Sequence, residues 1–396
     1  MTERALKKLA CELSSLCVFR DILENDTMKA LLSFLSSDGS VLERMSLFGQ
    51  FVYSLSKDNY SFSDFLCRVV YTNENSYVVG TAQKTEISEA LRKNAKAELK
   101  LFSKLTELTP NDFCDSLSYD GYIPKFSVKP VDFRKTYEER LKKIDCCGYG
   151  IFSSACMFRV NSSREIVPVE AADDISLDHF IGYEEARNQV LANTQALVEG
   201  RPAANVLLFG DAGTGKSSTV KACANHFYDR GVRLIELRKD QLFTLSKVMG
   251  KIGGNPLKFI IFIDDLSFNK NDDNFSMLKA ALEGSASARA DNAVIYATSN
   301  RRHIVKETFS ERGTRDDIHH GDTVQELLSL SERFGLQVYF EKPNKQLYLD
   351  IIHALADKKG IELDRNELDI KAEAFALSKA SRSPRAAEQF IDSLMI

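Results

Sequence analysis

Apolar residues recur at helical spacing through the first part of the chain. Leu6, Leu9 and Leu13 lie three or four residues apart, as residues on one face of an α-helix do. The segment TEISEALRKNAKAELKLFSKLTEL repeats this spacing, and no proline occurs before residue 110. The pattern predicts an α-helical domain over residues 1–117. It also predicts a linker over residues 118–170, in which GIFSSACMFRV is typical of a strand.

The pattern changes near residue 171, where short apolar runs alternate with helix-compatible segments. The runs are NVLLF, VRLIEL, KFIIFID, NAVIYATS and LQVYF. Strands that alternate with helices usually form a parallel sheet covered on both faces, so we predict an α/β core over residues 171–342. After Pro343 the spacing is helical again, which predicts a helical lid over residues 343–396.

Composition and charge argue against a membrane-spanning protein and against non-specific nucleic-acid binding by the whole chain. The 396 residues include 52 basic and 56 acidic side chains, and the net charge of −4 gives no support to non-specific nucleic-acid binding by the whole chain. No apolar run approaches the roughly 20 residues that span a bilayer. We therefore expect a cytoplasmic protein with no membrane span. In that compartment the eight cysteines, including the adjacent Cys146 and Cys147, are expected to be ordinary thiols rather than a redox or metal pair.

The strongest chemical signal is the segment GDAGTGKS, which matches the P-loop pattern G-x-x-x-x-G-K-[ST]. It follows the strand NVLLF and opens the helix KSSTVKACANHFY, which is the context that a phosphate-binding loop requires. Lys216 is expected to reach the β- and γ-phosphates of a nucleoside triphosphate, and Ser217 to bind Mg²⁺. The predicted nucleotide-binding residues are Gly210, Asp211, Ala212, Gly213, Thr214, Gly215, Lys216, Ser217 and Ser218.

Polar residues also end two other apolar strands. FIIFIDD ends in Asp264 and Asp265. We expect Asp264 to hold Mg²⁺, partly through water, and Asp265 to orient the attacking water. Most proteins with this layout have glutamate in the second position; aspartate is one methylene shorter, which predicts slow turnover. Asn300 ends NAVIYATSN, where it could contact the γ-phosphate or the water.

These motifs, with Arg333 in SERFGL and Arg385 near the chain end, resemble the AAA+ ATPases. The correspondence covers Walker A (residues 210–217), Walker B (Asp264 and Asp265), sensor 1 (Asn300), the arginine finger (Arg333) and sensor 2 (Arg385). The series DAGTGKSSTVKA, FIDDLSF, LKAALEG, YATSNRRHIVKE and SERFGL resembles in particular a bacterial AAA+ family catalogued as domain of unknown function 815. That family has the same paired aspartates.

The resemblance implies a P-loop AAA+ core and a homo-oligomer, either a ring or a spiral. In such assemblies Arg333 would enter the site of a neighbouring subunit. The segment DHFIGYEEARNQV, which begins at Asp178, resembles the AAA+ segment that lines the base, and this places Phe180, Ile181 and Gly182 near adenine.

Several arginine assignments remain open. Arg333 could instead pair with a nearby acid at a helix end, and the rival fingers are Arg301, Arg302 and Arg315. Pro384 stands where glycine is expected before the sensor 2 arginine, so Arg382 is the substitute for Arg385.

Three other patterns have plainer explanations. Residues 269–272 spell the guanine-reading N-K-x-D, but they follow the Walker B strand too closely, which favours ATP over GTP. The stripe Lys93, Lys96, Lys100 and Lys104 is interleaved with Glu86, Glu89 and Glu98, which favours a solvated face over a nucleic-acid or lipid surface. His319 and His320 have no cysteine or third histidine nearby, which disfavours a metal site.

The primary hypothesis is therefore an ATPase that hydrolyses Mg²⁺-ATP and couples this to conformational change on a protein partner bound by the N-terminal domain. The alternatives are a slow-hydrolysing ATP-gated switch and a nucleic-acid or helicase loader.

Overall fold

The computed structural model describes residues 1–117, 119–169, 175–177, 180–266, 273–282, 290–300 and 332–395. The chain divides into two compact units, Met1–Ser154 and Ala155–Ile396. No helix in the described ranges combines the length and apolar character needed to cross a bilayer.

The first unit is helical, as the spacing of its apolar residues predicts. Its described α-helices are α1 (Glu3–Ser14), α2 (Asp26–Ser36), α3 (Val41–Ser54), α4 (Phe62–Tyr71), α5 (Ser76–Ala82), α6 (Glu89–Leu105), α7 (Pro110–Cys114), α8 (Phe133–Lys142) and α9 (Ile144–Cys147). Short 3-10 helices lie at Arg20–Glu24, Leu55–Asp58, Asp115–Leu117 and Gly150–Ser153. Several helices begin at a side-chain cap, as where Ser88 accepts a hydrogen bond from the backbone of Leu91 at the start of α6.

The sequence predicts that three glutamates interleave with the lysines of α6, and the structure differs from this prediction at Glu98. Lys93 pairs with Glu89, with 2.7 Å between Nζ and Oε1. Glu98, however, is buried rather than interleaved with the lysines. Its carboxylate accepts the backbone N–H groups of residues 17–19, at 2.8 to 3.2 Å. Glu98 therefore fixes the turn after α1, because a buried carboxylate needs donors.

The boundary of the first unit lies beyond the predicted helical domain. Phe126, Phe133 and Tyr137 are buried in the core of this unit, and Ser127 forms a β-bridge with Ser61. Residues 119–154 therefore belong to the helical unit, because their apolar side chains complete its core. The predicted linker over residues 118–170 is not a separate segment, and its remaining part contributes strands to the second unit.

The second unit is built on one seven-stranded sheet. Its strands are β1 (Met157–Val160), β2 (Ile166–Pro168), β3 (Val206–Gly210), β4 (Val232–Leu237), β5 (Lys258–Ile263), β6 (Ala293–Ser299) and β7 (Leu336–Phe340). Their order is β2-β1-β4-β5-β6-β3-β7, and every neighbouring pair is parallel except β1 with β2. The mostly parallel α/β fold is confirmed, and the short hairpin strand β2 was not predicted.

Helices surround this sheet and form the lid. They are α10 (Glu184–Val198), α11 (Lys216–His226), α12 (Leu245–Ile252), α13 (Asp273–Leu282), α14 (Lys345–Lys359), α15 (Arg365–Ser378) and α16 (Pro384–Ser393), with 3-10 helices at Tyr228–Arg230 and Lys239–Thr244. All of Phe259, Ile260, Ile261 and Phe262 on β5 are buried, so both faces of the sheet are covered. The lid has its own apolar core around Tyr348, Ile352, Phe390 and Ile391 of α14 and α16.

The strand order brings the chemical motifs together. β5, β6 and β3 are neighbours and run parallel, so their carboxyl ends meet at one edge of the sheet. Ligands of open α/β sheets usually bind at this edge. The P-loop follows β3, the paired aspartates follow β5 and Asn300 follows β6.

Candidate nucleotide-binding site

The P-loop contains two glycines that have little space for a side chain. A Cβ on Gly210, where φ is +136°, would lie 2.0 Å from the carbonyl oxygen of Phe340 on β7. A Cβ on Gly213, where φ is +76°, would lie 2.9 Å from Ser383 Oγ and 3.2 Å from Arg385 Cβ. Both φ values favour glycine. The loop therefore packs against the sheet near its start and against the lid near its middle.

The close approach at Gly210 predicts a stability loss. Gly210→Ala is expected to destabilise the protein by about 1–3 kcal/mol, because β7 must shift to admit the methyl group. Gly250→Ala on α12 is the control, since its Cβ would meet nothing within 4 Å, and alanine is favoured over glycine in a helix by about 1 kcal/mol. Urea unfolding of both variants measures this. A Gly210→Ala midpoint equal to that of the wild type would contradict the packing described.

The Lys216 side chain is buried at the start of α11. Its ammonium donates to the carbonyl oxygens of Gly210 at 2.9 Å and Asp211 at 2.6 Å, and to Asn300 Oδ1 at 3.2 Å. Burial lowers the pKa of Lys216, and the carboxylates nearby oppose that shift. Among the described residues, the acceptors within hydrogen-bond distance of this positive charge are all neutral, and the oxygens of a phosphate can replace them.

Asp264 is connected to the P-loop by a hydrogen bond with Ser217. Ser217 Oγ donates to Asp264 Oδ1 at 2.6 Å. The same oxygen accepts the hydroxyl of Thr298 and, at 3.1 Å, the backbone N–H of Asp265. Among the residues that the structure describes, no donor reaches the second oxygen, Oδ2. The Ser217 hydroxyl and the Asp264 carboxylate together offer oxygen ligands of the kind that Mg²⁺ prefers.

Asp265 and Lys216 are joined by Asn300. Asn300 Nδ2 donates to Asp265 Oδ1 at 3.0 Å, while its Oδ1 accepts from Lys216. Asp265 has a left-handed backbone, with φ of +50°, a conformation in which aspartate and asparagine are enriched. Backbone strain of this kind often occurs at functional sites.

A cavity of about 330 Å³ lies between the P-loop and the lid. Its wall includes the loop residues 212–219, Asp264, Asp265 and Asn300. Phe180 and Ile181, which the sequence places near adenine, also line it. Gly182 does not; a Cβ there would lie 2.6 Å from Leu347 of α14, so this position serves the contact with the lid.

Of the two candidate sensor 2 arginines, only Arg385 lines the cavity. Its backbone N–H donates to the carbonyl oxygen of Gly213 at 3.3 Å. Arg382 instead forms two hydrogen bonds with Glu373, at 3.0 and 3.1 Å. Pro384 occupies the first turn of α16, where proline is favoured, so its replacement of glycine leaves the start of the helix intact.

Arg333 lies apart from this cavity. It is half-buried just before β7 and is not among the residues that line the pocket. The rival fingers Arg301, Arg302 and Arg315 lie outside the described residues. So do Asp178, His319, His320 and the N-K-x-D sequence of residues 269–272.

Some cavity residues were missed by sequence reasoning. Thr298 could have been found, because it lies two positions before Asn300 on β6 and therefore points to the same side of the strand. Further cavity residues come from the lid and from the start of α10, whose approach to the P-loop no local pattern reveals. They are Tyr183, Arg187, Ile351, Leu355 and Glu388.

The residues present fit a magnesium nucleotide. The P-loop backbone leaves no room for side chains at Gly210 and Gly213, as a loop that encloses phosphates requires. Lys216 supplies a buried cation for the phosphates, and Ser217 and Asp264 supply oxygen ligands for the metal. Mg²⁺ is usually held by one or two such protein ligands together with phosphates and water.

The chain is similar to several solved structures at low sequence identity. No curated protein matches the chain. Among solved structures, the Thermotoga maritima RuvB Holliday junction branch migration motor is similar at 15% identity and a TM-score of 0.35, over 56% of this chain and 72% of that one. The replication initiator DnaA bound to AMPPCP and single-stranded DNA is similar at 18% identity and a TM-score of 0.39, over 57% and 65%.

The family comparison is more extensive. The model of the family described as "Protein of unknown function (DUF815)" matches residues 153–395, more than half of the chain. The match begins four residues before β1 and runs through the lid. It confirms the resemblance to this family that the motif series predicted, and the P-loop lies between β3 and α11 as expected. The chain belongs to the DUF815 family.

Proposed function

We propose that this protein binds Mg²⁺-ATP in the cavity between the P-loop and the lid and hydrolyses it to ADP and phosphate. One observation carries the proposal: the buried Lys216 ammonium, the Ser217–Asp264 pair and the Asp265–Asn300 pair all line one cavity. These are the groups that phosphoryl transfer needs, namely a cation for the phosphates, metal ligands and a group that orients the nucleophile.

Binding uses the P-loop and the start of α11. Lys216 exchanges its carbonyl partners for oxygens of the β- and γ-phosphates, and the backbone N–H groups at the helix N-terminus donate to the same phosphates. Ser217 and Asp264 hold the Mg²⁺, which neutralises charge on the phosphates. Ile181 and Phe180 provide apolar contacts for the adenine.

Hydrolysis needs an oriented water molecule. The water oxygen attacks the γ-phosphorus, the bond from that phosphorus to the β–γ bridging oxygen breaks, and ADP leaves with that oxygen. Asp265 accepts a hydrogen bond from the water and orients it, and the proton is released to solvent. Asn300 contacts the γ-phosphate or the water, since it already lies between Lys216 and Asp265. Catalysis is then mainly positioning and charge neutralisation.

The contact between the P-loop and α16 supports a coupling of hydrolysis to movement. Gly213 touches the start of α16, and Arg385 from that helix lines the cavity. Loss of the γ-phosphate removes a negative charge beside Arg385, which changes how strongly the lid is held. The movement acts on a protein partner, and we assign the binding of that partner to the helical unit Met1–Ser154.

Arg333 acts in this proposal from a neighbouring subunit. Its position outside the cavity of its own chain supports that role. A finger of this kind contributes about 10³–10⁵-fold to the rate in nucleotide hydrolases. The functional unit is therefore a homo-oligomer in which each site is completed by a second copy.

Arg333→Ala is expected to lower turnover by about 10³-fold while leaving ATP affinity within about 3-fold of the wild-type value. Steady-state phosphate release and equilibrium binding of a fluorescent ATP analogue measure the two effects. Arg365→Ala is the matched control, because Arg365 is an exposed lid arginine whose Nη2 lies 3.6 Å from Asp357. Mixing Arg333→Ala with Asp265→Asn subunits should restore part of the activity. If the mixture stayed inactive, the finger would not act between subunits.

A slow ATP-gated switch is the second candidate, and the short Asp265 side chain favours it. A nucleic-acid loader is a variant of this role. It predicts that single-stranded DNA or RNA raises phosphate release, whereas the switch predicts bound ATP with little release under either condition.

A further inference from the structure

Thr298 forms hydrogen bonds with each of the first three residues after β5, Asp264, Asp265 and Leu266. It lies on β6 opposite Leu208 of β3 and is 2% exposed. Its hydroxyl donates to Asp264 Oδ1 and accepts the backbone N–H of Asp265 at 2.9 Å. Its carbonyl oxygen accepts the backbone N–H of Leu266 at 2.7 Å. One buried threonine thus holds the whole Walker B turn.

The direction of the hydroxyl proton follows from its partners. An ionised carboxylate can only accept hydrogen bonds, and a backbone N–H can only donate. The Thr298 proton must therefore point to Asp264, which leaves a lone pair of the oxygen for the N–H of Asp265. A single hydroxyl satisfies both residues only in this arrangement, and a side chain without a hydroxyl satisfies neither.

The consequence for Asp264 is a fixed carboxylate. Its Oδ1 accepts from Thr298, from Ser217 and from the N–H of Asp265. With three donors on one oxygen, rotation about the carboxylate is restricted, and Oδ2 has no donor within the described part of the chain. Groups that orient a metal ligand typically change metal affinity or activity by 10–100-fold when they are removed.

The consequence for Asp265 is a stabilised left-handed backbone. Its φ of +50° is less populated than the ordinary regions, so the surrounding contacts must maintain it. The hydrogen bond from Asp265 N to Thr298 is one of those contacts, and the side chain then reaches Asn300. Loss of the hydroxyl would free this backbone and move the carboxylate that orients the water.

We propose that Thr298 is a positioning residue of the magnesium-nucleotide site, whose hydroxyl sets the orientation of both Asp264 and Asp265. This inference rests on the function proposed above. A purely structural threonine in the buried core would have partners away from the cavity. The hydroxyl of Thr194 is such a case, since it contacts Val190, Tyr296 and Cys223 away from the cavity.

The test compares Thr298→Val, which keeps the shape without the hydroxyl, with Thr298→Ser, which keeps the hydroxyl. Thr194→Val removes a second buried hydroxyl and is the control for stability. The probe is Mn²⁺, measured by electron paramagnetic resonance on the full chain with a non-hydrolysable ATP analogue. Thr298→Val should raise the Mn²⁺ dissociation constant by about 10–100-fold. Thr298→Ser and Thr194→Val should remain within about 3-fold of the wild type.

The affinity for the ATP analogue in excess EDTA distinguishes a failure of the positioning role of Thr298 from a failure of the proposed nucleotide site. Thr298→Val should match the wild type there, because the hydroxyl acts on the metal ligand and not on the P-loop. A wild-type Mn²⁺ constant in Thr298→Val, or an equal loss of analogue affinity in EDTA, would overturn the positioning role. A wild-type protein that bound no analogue would overturn the proposed function itself. Thr298→Ala serves in place of valine, with the same expectations, if the valine variant fails to fold.

Discussion

Lys216→Ala is expected to weaken ATP binding by about 100-fold or more and to remove measurable turnover. The ammonium makes three hydrogen bonds within the protein, to Gly210, Asp211 and Asn300. In the nucleotide complex it would bond two phosphates, and each charge-assisted hydrogen bond contributes about 1.5–3 kcal/mol. Alanine cannot replace either bond. Titration calorimetry with Mg²⁺-ATP measures the affinity, and phosphate release measures the rate.

The control for this variant is Lys221→Ala on the same helix. The Lys221 side chain is 25% exposed, and its Nζ lies 4.0 Å from Glu236 Oε2. Lys221 is absent from the wall of the cavity. Its loss should change affinity by less than about 3-fold. If the two variants bound ATP equally well, the cavity would not be the nucleotide site.

Asp265→Asn is expected to leave ATP binding intact and to lower the rate of hydrolysis by about 10²–10⁴-fold. Asparagine keeps the oxygen that accepts from Asn300, and it tolerates the left-handed backbone at this position. What it lacks is the negative charge that orients and polarises water. Single-turnover phosphate release measures the effect, and the protein should retain intact ATP on a filter.

Asp265→Glu tests the length of the side chain. One extra methylene should bring the carboxylate closer to the attacking water and raise turnover if reach is what limits the rate. Asp240→Asn is the matched charge control, because Asp240 is an exposed carboxylate that pairs with Arg238 at 2.7 Å and does not line the cavity. A full wild-type rate in Asp265→Asn would assign the orienting role to another group.

Local patterns were sufficient to predict the P-loop and every strand except β2. Five apolar runs coincide with β3 to β7, and the central strands β4, β5, β6 and β3 are apolar nearly throughout because they are buried on both faces. The spacing G-x-x-x-x-G-K-[ST] places Lys216 at the first turn of α11 for reasons of backbone geometry alone. The residues at the carboxyl ends of β5 and β6 follow from the rule that parallel strands share one edge.

Contacts between distant segments were not predictable in the same way. Residues 119–154 have the prolines and turns of a linker, yet Phe126 and Phe133 complete the core of the helical unit. The lid residues Ile351 and Leu355 line the cavity because the lid lies beside the P-loop, which contacts the start of α16 at Gly213. The sequence already favoured Arg385 over Arg382, but the ion pair of Arg382 with Glu373, which supports that choice, depends on tertiary packing. Such contacts depend on tertiary packing, which periodicity does not encode.

The central claim is that this site hydrolyses ATP in an assembly with shared sites. The most direct test is the rate of Mg²⁺-ATP hydrolysis per subunit, measured against protein concentration for the wild type and Lys216→Ala. We predict a wild-type rate that rises with concentration as sites are completed by neighbouring copies, and no rate in the variant. A wild-type rate per subunit that stays near zero at every concentration, or a variant as active as the wild type, would contradict the account.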